Sequence, residues 1–202
     1  GKTFVALNLA AIISMTGKKT ILLDLDMRKP KVHLAFDLKN VNGMSNLIIG
    51  GITLDEAIVK DVDVNLDIIT SGPVPPNPAE LLLSESYRLL IEELKLRYDI
   101  IVIDNPPIGL VSDGVQILTA ADIPIYVFKS QYSKRNFAQR TRELFEMKQL
   151  TSLNIILNGV PQSKRNMYGY GYGYGYGEGS YGYMDEDKLS DIKTTSKFQR
   201  FI

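Results

Sequence analysis

Three short clusters of this 202-residue chain carry residue types suited to handling a magnesium-bound phosphate. The first is Gly1-Lys2-Thr3, set directly before a strongly apolar segment. In the pattern G-x-x-x-x-G-K-[ST], backbone N–H groups and a helix N-terminus hold phosphates. The lysine reaches the β and γ groups, and the hydroxyl binds Mg²⁺. Only the last three residues of that pattern are present, and an ordinary helix start capped by Thr3 explains them as well. The second cluster is Asp24-Leu25-Asp26-Met27-Arg28, at the end of the run Ile21-Leu22-Leu23. Asp24 and Asp26 share a parity, so both project to one side if the strand continues. Two such carboxylates repel unless a cation or a proton transfer uses them; neutralisation by Arg28 is the plain alternative. The third is Ile100–Ile103 followed by Asp104-Asn105-Pro106-Pro107. An apolar strand ended by Asp is the Walker-B pattern, whose carboxylate holds Mg²⁺ directly or through water. The prolines cannot continue a sheet ladder and leave Asp104 at the rim. An aspartate that merely caps the next turn is the alternative. Taken together, the three fit a magnesium–nucleotide site far better than any one does.

The elements that must position these clusters alternate along the chain. Residues 3–16 are apolar on nearly every face, which predicts a buried helix stopped by Gly17. Residues 20–25 read as a buried parallel strand, 66–69 and 99–103 as further strands, and 124–128 and 153–157 as two more. Thr53 and Glu56 form a capping box for a short helix at Leu54. Asn77, Pro78 and Glu80 supply a cap, a first-turn proline and an acid, so a helix starts there. Residues 86–97, a segment from about Ser112, and 134–149 read as helices, the first with Tyr87, Leu90, Ile91 and Leu94 on one stripe. Alternating strands and helices imply an open α/β sheet, mostly parallel and flanked by helices. In such sheets ligands bind outside the carboxyl ends of the strands, where all three clusters fall.

Composition excludes several functions. Net charge is zero, with 23 basic and 23 acidic side chains, so the chain is not built to coat nucleic acid. With no cysteine and one histidine (His33), thiolate or multi-histidine metal sites and a Ser-His-Asp triad have no basis. Nothing reads as a signal peptide or a bilayer-spanning run. A composition change near residue 161 predicts a domain over 1–160 and a disordered tail over 161–202. There Tyr168, Tyr170, Tyr172, Tyr174, Tyr176, Tyr181 and Tyr183 alternate largely with glycine. The basic run Lys129, Lys134, Arg135, Arg140 and Arg142 reads as a solvated helix face.

The three clusters resemble the Walker A, A′ and B motifs of bacterial tyrosine kinases, P-loop relatives of the ParA/MinD ATPases. The stretch Pro75-Pro76-Asn77-Pro78-Ala79-Glu80-Leu81-Leu82 is similar to that family's G-x-x-P-P-N-P-x-E-L-L segment, and the tyrosine-rich terminus to its autophosphorylation cluster. The resemblance implies a P-loop NTPase-like kinase using ATP and Mg²⁺ that phosphorylates Tyr168–Tyr183 between subunits of a ring-like homo-oligomer. It implies regulation of capsular or exopolysaccharide synthesis at the cytoplasmic face of the membrane. A membrane polysaccharide copolymerase would be the activator and a tyrosine phosphatase the counterpart, with no nucleic-acid partner. By the same resemblance Lys2 contacts the β/γ-phosphates with Gly1, Thr3 binds Mg²⁺, and Asp26 and Asp104 hold the metal shell. Asp24 accepts the tyrosine proton, Asp24 and Asp26 being interchangeable on sequence, and Asn158 lies where relatives contact adenine. Two departures stand out: the family's first strand and the start of its P-loop would precede Gly1, and Asn105 stands where the family usually has Thr. A ParA/MinD-like ATPase switch without kinase activity is the alternative. Against it, that family usually follows DxD with Pro-Gln-type residues and has no tyrosine cluster.

Overall fold

The computed structural model describes residues 1–107, 113–146 and 152–161. The chain enters through helix α1 (Lys2–Met15) and turns at Gly17, whose φ of +86° favours glycine, into strand β1 (Thr20–Asp24). Three short helices follow, α2 (Val32–Ala35), α3 (Met44–Ile48) and α4 (Leu54–Ala57), then the hairpin of β2 (Val59–Asp63) and β3 (Leu66–Ile69). Helices α5 (Pro78–Leu82) and α6 (Glu85–Arg97) lead to β4 (Ile100–Asp104). Beyond it come α7 (Asp113–Ala120), β5 (Ile125–Lys129), α8 (Arg135–Glu146) and β6 (Asn154–Asn158).

Strands β2-β3-β1-β4 form one sheet, in which β1 lies parallel to both β3 and β4 and only β2 runs antiparallel. Strands β5 and β6 pair in parallel as a second sheet. The period-2 alternation of the central strands sorts their side chains between two cores. Ile21, Leu23 and Ile69 pack on one side with Leu90 and Leu94 of α6. Leu22, Leu66 and Ile68 pack on the other with Ala6 and Ala10 of α1.

The hydrophobicity of α1 predicts burial all round, and the structure corrects this. Ala6, Leu7, Ala10, Ala11 and Ser14 face inward, while Phe4 (48% exposed), Ile12 (63%) and Met15 (74%) do not. Small residues on the inner face let the helix lie close on the sheet, and the described residues leave its outer face open. The Thr53–Glu56 capping box forms as its spacing predicts, Glu56 Oε2 accepting from the Thr53 N–H at 2.8 Å. Helix α5 starts at Pro78 with Asn77 in the N-cap position as expected, but the Asn77 side chain makes no cap bond and its amide donates to Glu80 Oε2 at 2.6 Å. Ser84 accepts from the Tyr87 N–H at 3.2 Å and opens α6 as a separate helix. Helices α2 and α3 are too short to show a sequence period, and β2, with Lys60, Asp61 and Asp63 in its span, has no apolar run; all three escape sequence reading. The segment from residue 162, the start of the helix expected at Ser112 and residues 147–149 of the helix expected over 134–149 lie outside the described residues.

At the strands' N-terminal ends, polar groups tie the sheet together. The Tyr98 hydroxyl donates to Asp67 at 2.7 Å and the Lys19 N–H donates to Asp99 Oδ2 at 2.9 Å. The Lys19 ammonium lies 4.9 Å from the Tyr98 ring centre. Leu22 is fully buried beneath α1. Truncating it to Ala is expected to cost about 3 kcal/mol and lower Tm by about 10 °C in calorimetry. A loss below about 1 kcal/mol would contradict this packing.

Candidate functional site

The register of β1 against β4 sets Asp24 directly opposite Asp104, each at the last position of its strand. Both are buried, at 0% and 3% exposure. The Leu25 N–H donates to the Asp104 carbonyl at 2.9 Å, and there the ladder ends. The strand does not continue to Asp26, so shared parity is not what places that residue. The chain turns back instead: the Asp26 N–H donates to Asp24 Oδ1 at 3.1 Å and the Val32 N–H to Asp24 Oδ2 at 3.3 Å. Asp26, half-buried, accepts from the Lys29 N–H at 3.1 Å.

Burial pushes the Asp24 carboxyl up to about 7, the charge of Asp104 pushes the same way, and the two backbone N–H donors pull against them. Asp104 is raised chiefly by burial, opposed by a hydrogen bond from the Thr3 hydroxyl and by the charge of Lys2. The first turn of α1 therefore abuts the Walker-B-like aspartate, bringing Lys2 and Thr3 to Asp104, which faces Asp24 and feels the charge of Asp26. Asn158, at the end of β6, belongs to the same neighbourhood: its amide nitrogen lies 3.6 Å from where a Cβ on Gly1 would stand. A cavity of about 430 Å³ opens between Gly1, Lys2, Asn105, Pro106, Val127 and Lys129.

Sequence reading missed Lys31 and placed Lys129 on a solvated helix face; both lie close enough to Gly1 to act on it electrostatically. Lys129 lies on the rim with its ammonium 5.7 Å from the Tyr132 ring, not on a helix face. Their separation of about a hundred residues leaves no local signal. Among the described residues no three His, Asp or Glu side chains cluster closely enough to hold a metal by themselves. The donor set still fits Mg²⁺, which in phosphate sites takes one or two protein oxygens and fills its shell from phosphates and water. Thr3, Asp26 and Asp104 are the oxygens available. The tyrosines Tyr168 to Tyr183 lie outside the described residues.

A family model described as an AAA domain matches residues 1–157. Tyrosine-protein kinase YwqD of Bacillus subtilis (strain 168) is 38% identical over 169 residues, covering 84% of this chain and 71% of the relative. The chain belongs to the bacterial tyrosine-kinase family. The putative tyrosine-protein kinase CapB of Staphylococcus aureus, another relative within that family, is 36% identical over 83% of this chain and 74% of its own. The kinase domain of the Escherichia coli tyrosine kinase ETK superposes with a TM-score of 0.74 at 32% identity, covering 86% of this chain and 68% of that one. Family membership matches the mostly parallel α/β sheet with its charged clusters at the strand ends. Among the described residues no helix of this family member is long and apolar enough to cross a membrane.

The raised carboxyls make the fold pH-sensitive. Folded Asp24 keeps its proton up to about pH 7, whereas in the unfolded chain it loses it near 4. The stabilisation from this difference is complete below about pH 4 and is lost as pH rises through about 7. Without Mg²⁺ and nucleotide, Tm is expected to fall by several degrees between pH 5.5 and 8. In Asp24→Asn the fall should be clearly smaller, as differential scanning fluorimetry would read. Equal slopes in the two proteins would refute the assignment.

Proposed function

We propose that this chain is an ATP-dependent protein-tyrosine kinase that phosphorylates its own tyrosine cluster, Tyr168 to Tyr183, from one copy to another. The observation that carries the reading is the pairing of two buried aspartates, Asp24 and Asp104, at neighbouring strand ends against the Lys2–Thr3 turn. That arrangement is suited to a nucleotide's terminal phosphates and to a proton transfer. Phosphoryl transfer asks a protein mainly for positioning and charge neutralisation.

In this reading Gly1 and Lys2 hold the phosphates, and Lys2 neutralises charge on the β and γ groups. Thr3, Asp26 and Asp104 would hold Mg²⁺, which supplies charge neutralisation at the phosphate oxygens. Asn158, which lies beside Gly1, would contact the nucleotide, as the family resemblance implies. Asp24 takes the phenolic proton as the tyrosine oxygen bonds to the γ-phosphorus. The bond from that phosphorus to the β–γ bridging oxygen breaks and ADP leaves. Proton affinity near neutrality suits Asp24 to this role. The loop carrying the Asp26 and Val32 N–H groups must move aside for the phenol to reach it. A membrane polysaccharide copolymerase as activator, a ring-like oligomer, an opposing tyrosine phosphatase and placement at the cytoplasmic face of the membrane complete the proposal. The output would be control of capsular or exopolysaccharide synthesis.

Intact-mass spectrometry of the full-length protein with its activator, incubated with Mg-ATP, tests this. A ladder of added phosphates mapping to Tyr168–Tyr183 is expected, with the rate lowered at least about a hundredfold in Lys2→Met and Asp24→Ala. ATP turnover without phosphate on the tail would overturn the reading in favour of an ATPase switch.

A further inference from the structure

Beyond β3 the chain runs Thr70-Ser71-Gly72 and then Pro73-Val74-Pro75-Pro76-Asn77-Pro78. Because Leu23 pairs with Ile69, Thr70 is level with Asp24 across the strand pair, and Thr70 and Ser71 are fully buried there. The segment 40–46 is clasped onto this extension. Met44 and Ser45 donate their N–H groups to the carbonyls of Thr70 (2.8 Å) and Ser71 (2.9 Å), and the Thr70 hydroxyl donates to the Asn42 carbonyl at 3.0 Å. The approach is so close that a Cβ on Gly43 would stand 2.2 Å from the Gly72 nitrogen. Gly72 itself has a φ of +76° and would clash with Ser45 Oγ at 2.5 Å, so neither glycine tolerates a side chain.

Asn40 closes the clasp. Its side-chain amide accepts from the Gly72 N–H at 2.8 Å and donates to the Gly72 carbonyl at 2.8 Å, as a paired strand residue would. The chain leaving Gly72 is thereby aimed, and four prolines in the next six residues hold it stiff. The resulting ledge is uncharged and partly apolar, with Val74 63% exposed. It leaves the sheet from the strand beside Asp24.

We propose that Asn40 is a positioning residue for the tyrosine acceptor, fixing Gly72 so that the 73–78 ledge forms the acceptor-side wall of the kinase site. The inference rests on the kinase reading above and adds where the acceptor sits. Proline rings and a valine offer flat apolar area against which a phenol packs while its hydroxyl stays free to react. The occupant fits in charge as well: residues 168–183 carry one charged side chain, Glu178, so an uncharged wall faces a nearly uncharged ligand.

The test uses the full-length protein with its activator and a synthetic peptide of residues 166–184 as acceptor. Initial rates are taken against peptide and against ATP for wild type, Asn40→Ala and Val74→Asp. Losing the amide pair, or placing a carboxylate on the ledge, is expected to raise the peptide KM about tenfold. The ATP KM and the rate of ATP hydrolysis to water should stay within about twofold. Val74→Asp, at an exposed position, should leave Tm unchanged, which separates the acceptor effect from a folding defect. A peptide KM unchanged in Val74→Asp, or an ATP KM rising in step with it, overturns the inference alone. Wild-type protein that hydrolyses ATP yet phosphorylates neither peptide nor tail overturns the kinase reading and the inference with it.

Discussion

Two carboxylates buried side by side on neighbouring strands are an unfavourable arrangement, and most of the architecture serves to make it tolerable. Asp24 and Asp104 meet because β1 and β4 share a parallel register to their last residue. Burial raises the proton affinity of both, and the charge of Asp104 raises that of Asp24 further. What offsets the charge comes from elsewhere in the chain: backbone N–H groups from the 26–32 turn on one side, and the hydroxyl and ammonium of the α1 first turn on the other. A core of fully buried aliphatic residues on both faces of β1 and β3 holds the strand ends in place against this repulsion.

Such an arrangement makes sense when charge of the opposite sign is to be brought in. A divalent cation with its phosphates would relieve the repulsion, so binding and stability are linked through the same carboxyls. Proton uptake near neutrality is the alternative form of relief, and an aspartate poised between these two states is suited to a proton transfer.

Much of this was legible in the residues. The runs Ile21-Leu22-Leu23 ahead of Asp24 and Ile100–Ile103 ahead of Asp104 read as apolar strands, and parallel strands present their ends together. The same reasoning overreached at Asp26. Parity presumes that a strand continues, whereas Asp26 lies in a turn, held by a hydrogen bond from its own backbone. At α1 the composition is apolar all round, but helical burial depends on what lies opposite, which no periodicity encodes. Lys31 and Lys129 reach the site from two distant segments, and Asn40 reaches Gly72 across 32 residues. Contacts of that kind arise from topology, and a single sequence carries no local mark of them. At Asn77 the helix begins where the residues predict, but the side-chain amide turns to donate to Glu80 and its oxygen accepts from no helix N–H.

The favourable polar ties and the repelling charges occupy opposite ends of the same strands. The Tyr98–Asp67 and Lys19–Asp99 contacts bind β1, β3 and β4 together at their beginnings, far from Asp24 and Asp104 at their finishes. The sheet thus has one hem sewn by side chains and another at which two carboxylates face each other. Amide protons at the beginnings of these strands are therefore expected to exchange more slowly than those beside the paired carboxylates. A strand built in this way can breathe where a phosphate must enter without losing register where the fold is defined.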